Sequence, residues 1–390
     1  MDGVNKMGVK NSDEESPSGS VKWVAYRSQF FSNTLIADNG FHKGSFKFNT
    51  PEADEKINKV MESKLSVDFS RTNDIKTGFT IYAGPLEYNT LKSYGMDMNR
   101  QPDLGWGPVK YINRVAIWIF KKLERMNISY GLIILIFGIL IKMVVFPMTY
   151  KSFMSMAKLK VLNQMPEMKE IDEKFKDDPQ KLQMEKMAIY NKMGVSPFGG
   201  CIPMLLQYPI IISMFFFFPQ AVELRHQSFL WATDLSSYDS ILTLPFSIPA
   251  YGNHVSLFTI LMALSTFLYT YYNQSSQPGS DNPAMKMQMK IIMYIMPFFL
   301  LFFLNNYASG LSWYYFVSNI LAISQTQIFR YFIDDQKLEA QLIEATHTRT
   351  KSGKNKSRMQ NWLENQQKKQ KELTEQQKKS QATNRRDRRS

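Results

Sequence analysis

Apolar residues gather along the chain into five blocks, Ile128–Pro147, Ile202–Phe218, Val255–Tyr272, Ile291–Leu304 and Leu311–Ile333, separated by charged or turn-rich stretches. About 20 such residues span the ~30 Å hydrocarbon core of a bilayer, so the first, third and fifth blocks read as unaided transmembrane helices. The second holds Pro203 and Pro209 and the fourth Pro297, and taken alone each could be a buried or re-entrant helix. The charge pattern favours spanning for these two as well. Lysines crowd Lys151–Lys192 and the tail Lys337–Arg389, whereas Pro219–His254 has Arg225 as its one full cation. An excess of Lys and Arg marks the cytoplasmic side, so the pattern predicts an outward N-terminal part, five spans and an inward tail.

Outside the blocks the pattern changes. Residues 1–20 are polar and rich in Gly, Ser and Asn, which predicts a disordered segment and, lacking an apolar core, no signal peptide. Strand-like patches at Val21–Arg27, Ser45–Phe48, Leu65–Phe69 and Gly78–Tyr82 predict a partial β-sandwich-like outer domain over residues 21–105. Pro51–Ser63 reads as loop or helix, and Leu86–Tyr94 as a short helix stopped at Gly95. A free-standing sandwich has about seven strands, and an outer domain before the first span needs an export signal or anchor; a missing N-terminal portion, or a misassigned start, is therefore expected. Over residues 106–127, Lys110, Arg114, Lys121, Lys122 and Arg125 interleave with Tyr111, Ile112, Val115, Trp118, Ile119 and Leu123, the pattern of an amphipathic helix lying on the outer membrane surface.

The first span is placed at 128–147, and residues 148–197 predict a cytoplasmic helical hairpin broken at Lys176-Asp177-Asp178-Pro179. One arm carries Met154, Met156, Leu159, Leu162 and Met165, the other Leu182, Met184, Met187, Ile189 and Met193. These methionines either pack between the arms or offer a deformable docking surface for apolar ligands. Four further spans occupy 198–333, and a basic tail fills 334–390. The fold class predicted is thus a polytopic α-helical membrane protein with a partial β-rich extracytoplasmic domain.

Composition narrows the chemistry. The 390 residues carry a formal charge of +13, and the tail suits phosphates of RNA or of anionic lipid headgroups without sequence readout, or simple solubilisation. The single Cys201 excludes an intrachain disulfide, and the four histidines lack metal-ligand spacing. Because no catalytic constellation, phosphate loop or cofactor motif is present, no enzymatic activity, metal or cofactor is expected.

One charge interrupts the first span. Lys142 lies five residues before Pro147, roughly 7.5 Å of helix rise, so its long stem could snorkel to the interface; alternatively the ammonium faces a bundle interior or a wet cavity. Gln207 in the second span, and Tyr314, Tyr315, Asn319, Ser324 and Gln325 in the last, either glue helices together or line a hydrophilic groove with Lys142. A small-solute transporter is the alternative function, but it should show internal repeats, and none is visible.

Three runs in fixed order, IKMVVFPMTYKSFMSMAKLK through Lys142 to Lys160, GVSPFGGCIPMLLQ from Gly194 to Gln207, and SGLSWYYFVSN from Ser309 to Asn319, closely resemble the YidC membrane-protein insertase family in its bacterial form with a large periplasmic domain. The likeness extends through Val222-Glu223-Leu224-Arg225 and Trp23 to Phe31. It implies a five-helix insertase core with a hydrophilic groove open to cytoplasm and lipid, in the bacterial inner membrane, with the N-terminal domain periplasmic and the tail cytoplasmic. The groove residues implied are Lys142, Gln207, Tyr315, Asn319 and Gln325. Tyr208, Pro209, Ile211 and Phe303 fall where relatives present an apolar slide for clients. Most relatives carry arginine where this chain has Lys142, and a polar residue where it has Gly138; they also have an N-terminal membrane anchor. The partners implied are nascent membrane-protein clients, the Sec translocon, the ribosome through rRNA contact by the tail, and the lipid bilayer.

Overall fold

The computed structural model describes residues 3–7, 13–17, 19–49, 59–67, 76–176, 178–196, 202–274 and 283–352. The chain forms two compact units, one of Met1–Val144, Leu205–Tyr269 and Ile292–Ala322, the other of Val145–Met204, Thr270–Ile291 and Ile323–Ser390.

The first unit opens with strands β1 (Asp13–Glu15), β2 (Val21–Arg27), β3 (Phe31–Phe41), β4 (Lys43–Asn49), β5 (Val60–Ser66) and β6 (Phe79–Pro85). They form two antiparallel three-stranded sheets, ordered β1-β4-β5 and β2-β3-β6. The expected patches at Val21–Arg27, Ser45–Phe48 and Gly78–Tyr82 fall on β2, β4 and β6; of the patch expected at Leu65–Phe69, Leu65 and Ser66 end a strand that starts earlier, at Val60, and residues 68 and 69 lie outside the described residues. Asp13–Glu15, expected to be irregular, pairs with β4. The central strand β3 has no counterpart in the sequence reading. Its interior positions include Ser32 and Thr34, which mask the apolar alternation; both are buried because the Gln101 side chain bonds them, accepting from Ser32 Oγ at 2.6 Å and donating to Thr34 Oγ1 at 3.2 Å. Ile36, Tyr82, Leu86, Leu91 and Met98, with Trp23 against them, make the domain's small core. Most of Pro51–Ser63 lies outside the described residues.

Helix α1 (Tyr88–Ser93) stops where Gly95 takes φ +70°. Helix α2 (Gly107–Glu124) buries Val109, Asn113, Ala116 and Phe120, a 4-3-4 spacing that marks one helical face, and leaves Tyr111, Val115 and Trp118 exposed on another. Its cations flank that exposed apolar stripe: Arg114 lies over the Tyr88 and Tyr111 rings, and Lys121 pairs with Glu87.

All five apolar blocks are helical. Helix α3 (Tyr130–Gln164) is 35 residues long, about 52 Å at 1.5 Å per residue, and continues through Pro147, where the sequence reading ended the first span. Proline removes one backbone donor, the one that would pair with the Met143 carbonyl, and the helix runs on past that single gap; just beyond it the Thr149 hydroxyl donates to the Val145 carbonyl at 3.0 Å. Helices α4 (Pro166–Lys174) and α5 (Pro179–Met193) complete the hairpin region, with Asp178 capping α5 through the Lys181 amide at 3.1 Å. Then come α6 (Ile202–Phe217), strands β7 (Leu242–Ile248) and β8 (Gly252–Val255), and helices α7 (Leu257–Gln274), α8 (Pro283–Leu304), α9 (Ser309–Phe332) and α10 (Asp335–Ser352). Among the described residues α3 is the one helix long and apolar enough to cross a membrane by itself; Leu205–Gln220 and Lys290–Leu304 are shorter apolar helices.

The core of the first unit joins Ala116 and Phe120 of α2, Ile133, Ile134 and Phe137 of α3, Met214 and Phe217 of α6, Phe258 and Met262 of α7, and Leu311, Tyr314 and Val317 of α9. In the second unit, Leu159, Leu162, Met165, Met168 and Met193 bury themselves with Leu338 and Leu342 of α10. The methionine-bearing arms therefore close on a third helix instead of presenting an open stripe: Met165, Met168 and Met193 are buried, and Met184 and Met187 are half-buried.

Candidate functional site

The first-unit part of α3 meets α9 along a seam of small and aromatic residues. Trp313 Nε1 donates to the Gly131 carbonyl at 2.9 Å, and the rings of Phe137 and Tyr314 lie 6.0 Å apart. Gly138 sits so close to α9 that a Cβ there would come within 3.3 Å of Val317 Cγ1 and 3.8 Å of Leu321 Cδ1. Glycine fits without displacing Val317, and even alanine needs Val317 to give by a few tenths of an ångström.

Lys142 follows Gly138 by one turn, so the two lie on the same helix face. Its side chain is half-buried, whereas Met143 and Val144, which point elsewhere around the helix, are 66% and 78% exposed. No hydrogen bond or ion pair reaches its ammonium among the described residues. The geometry thus sets a cation at the end of a tightly packed apolar seam, with no acidic partner among the described residues.

The other residues expected in the groove divide into those brought near this seam and those used elsewhere. Tyr315, half-buried, packs beside Tyr314 with ring centroids 5.9 Å apart. Asn319 is turned toward α7, donating to Ser265 Oγ at 3.1 Å and Thr266 Oγ1 at 2.8 Å, so it serves as a bond between helices. Gln207 is half-buried on α6. Gln325 belongs to the second unit, where it is also half-buried.

Of the four residues expected to form an apolar slide, Tyr208, Pro209 and Ile211 lie on α6 and Phe303 on α8. Tyr208, Ile211 and Phe215 recur at i, i+3 and i+7 on α6, hence along one stripe. Phe215 stacks on Phe303 of α8 at 6.1 Å, and Phe303 stacks in turn on Phe299 at 5.8 Å. Tyr208, Phe299 and Phe303 are all more than two-fifths exposed, so the two helices offer one continuous apolar face. Pro209, half-buried, lies within α6.

Two polar clusters escaped the sequence reading. Buried Asn113 of α2 donates to the Leu104 carbonyl at 2.9 Å and accepts from Ser213 of α6, tying the surface helix to the bundle. Buried Asp239 accepts from the Leu257 and Phe258 amides at 2.9 and 3.1 Å and from Trp231 Nε1 at 2.9 Å. An acidic residue eighteen positions before a helix start is not a local capping signal, which is why pattern alone could not find it.

Helices rich in Leu, Ile, Phe and Met follow a β-rich N-terminal region, and among the described residues α3 is long and apolar enough to cross a membrane. A family model described as "60Kd inner membrane protein" matches residues 122–336, and one described as "YidC periplasmic domain" matches residues 2–119. The chain belongs to this family. It is 40% identical over 350 residues to a membrane protein insertase YidC of Bacteroides fragilis, covering 87% of this chain and 56% of that protein. A membrane protein insertase YidC of Parabacteroides distasonis is 39% identical over 364 residues, again covering 87% of this chain and 56% of the relative. The chain thus spans about half the length of the curated relatives it matches. Among solved structures, one titled "Active YidC insertase crystal structure with the first transmembrane domain resolved" has 16% identity and a TM-score of 0.39, covering 82% of this chain and 80% of that chain.

Proposed function

We propose that the chain carries the membrane-embedded core and outer-domain residues of an insertase that moves nascent membrane proteins into the bacterial inner membrane. In this reading α3, α6, α7, α8 and α9 are the five spans, the β-rich region is periplasmic, and the α4–α5 hairpin and the tail are cytoplasmic. What supports it, beyond the family, is Lys142: a half-buried cation with no acidic partner among the described residues, on the face of an apolar helix that meets another span. A charge in that position is costly, by roughly 2.5–3.5 kcal/mol on insertion scales, and such residues mark pathways more often than packing.

The mechanism is physical and breaks no bond. A short polar outer segment of a client enters a wet groove beside Lys142, which lowers the cost of bringing hydrated or acidic residues part-way across. The client's apolar helix leaves sideways along the Tyr208, Ile211 and Phe303 face. Burial of the client in lipid, at about 25 cal/mol per Å² of apolar surface, supplies the driving force. The basic tail holds the ribosome near the entrance, and the Sec translocon is a partner for some clients.

Reconstitution tests the reading. Insertion of a small client with an acidic outer tail should fall with Lys142→Ala and fall further with Lys142→Glu. Normal insertion by both variants contradicts the charge-attraction mechanism.

A further inference from the structure

The β7–β8 hairpin has no role in the scheme above. Residues 240–253 contain no Asp, Glu, Lys or Arg, in a segment that the charge pattern places on the outer side. Ile241, Leu242 and Phe246 are exposed at 50%, 56% and 61%. The ladder pairs Leu242 with Val255 and Thr243 with His254 and then jumps to Ile248 with Gly252, so the segment carrying Phe246 bulges from the ribbon.

The hairpin is held firmly at one level. Asp239, at its entry, is clamped to the first amides of α7. At its return, Asn305 donates to the carbonyls of Tyr251 and His254, both at 2.9 Å, and Asn306 donates to that of Tyr251 at 2.9 Å. The ribbon is therefore bolted to the start of α7 and to the turn between α8 and α9, the end of the bundle where the exposed apolar flank of α8 stops. Pro245 and Pro249 lack backbone donors, which makes the ribbon a poor template for an added protein strand.

We infer that the β7–β8 hairpin is a lipid-binding element, seated in the headgroup region of the outer leaflet with Phe246 and Leu242 in the upper acyl zone. This rests on the membrane reading proposed above. Lipid is the occupant chosen because the ribbon is uncharged, is fixed at the level where the apolar helix flanks emerge, and resists strand addition. An element of this kind resists tilting of α7 to α9 while a client departs along α8.

The test uses the full chain with Cys201→Ser and a single labelled cysteine, in phosphatidylcholine vesicles. An environment-sensitive dye at Phe246→Cys, and separately at Leu242→Cys, should be shielded from aqueous iodide. Each should be quenched about twofold more by lipid with a nitroxide high on the acyl chain than by one carrying it deep, as suits burial of roughly 5–10 Å. A reference dye at Ile295→Cys in α8 should show the opposite order. Iodide quenching at 246 and 242 without lipid quenching means a hairpin in water, and protection from both quenchers means cover by protein; either result overturns the inference while Ile295 still reports lipid. If Ile295 also fails to sense lipid, the membrane reading falls with it.

Discussion

An ammonium and a guanidinium attract acidic groups alike, but only the guanidinium offers a planar fork for bidentate bonding. If the role of Lys142 is attraction by charge, Lys142→Arg should insert clients about as well as the native chain, and the defect of Lys142→Ala should shrink as salt is raised, since salt screens the lost attraction. Loss of activity in Lys142→Arg points instead to a steric fit specific to lysine. At Asp239 the expectation concerns stability. Asp239→Ala removes the acceptor for two helix-start amides and for the Trp231 indole, and leaving such groups buried and unpaired costs about 1–3 kcal/mol each. Asp239→Asn keeps one acceptor oxygen and should lose clearly less, read as the midpoint of thermal unfolding in detergent. At Gly138 the available space decides: Gly138→Leu overpacks against Val317 and Leu321 and should destabilise the first unit by about 1–3 kcal/mol, while Gly138→Ala needs only a small shift of Val317.

At the scale of elements, apolar patterning located every helix that carries the candidate site, because a helix dominated by Leu, Ile, Phe and Met reads as such without any partner. It failed where partners decide. Strand β3 was invisible because Ser32 and Thr34 are inward only by virtue of Gln101, far away in sequence. Helix α3 runs on past Pro147, the residue at which the expected span ends, because a proline within a helix removes a single backbone bond. The two readings of the methionines could not be separated without α10, whose Leu338 and Leu342 pack into one core with Leu159, Leu162, Met165 and Met193 of the arms. That packing also refines how the tail is tested. Leu342→Ala should cost about 2–5 kcal/mol, seen as earlier proteolysis of the hairpin region. Truncation after Ser352 leaves α10 in place, so a resulting loss of salt-sensitive ribosome cosedimentation reports on the basic residues alone; unchanged binding contradicts their proposed role.

For the whole molecule, the candidate site was legible in part. Lys142 stood out as a charge in an apolar run, and the structure adds that it shares the α9-facing side with Gly138. The α6–α8 face was legible only through resemblance, because the stacking of Phe215 on Phe303 joins residues distant in sequence. Asn319 bonds Ser265 and Thr266 of α7, and its polarity allowed that role as well as groove lining, since polarity alone does not distinguish the two. The central claim is that a client passes beside Lys142 and along the apolar face of α6 and α8. The most direct measurement places a photocrosslinker singly at 142, 208, 303 and, as an outer control, at the exposed Tyr111, and probes a ribosome-stalled nascent membrane segment. The account predicts adducts from 142 to the client's polar outer part, adducts from 208 and 303 to its apolar helix, and none from 111. Equal adducts from all four positions, or none from 142, 208 and 303, would contradict it.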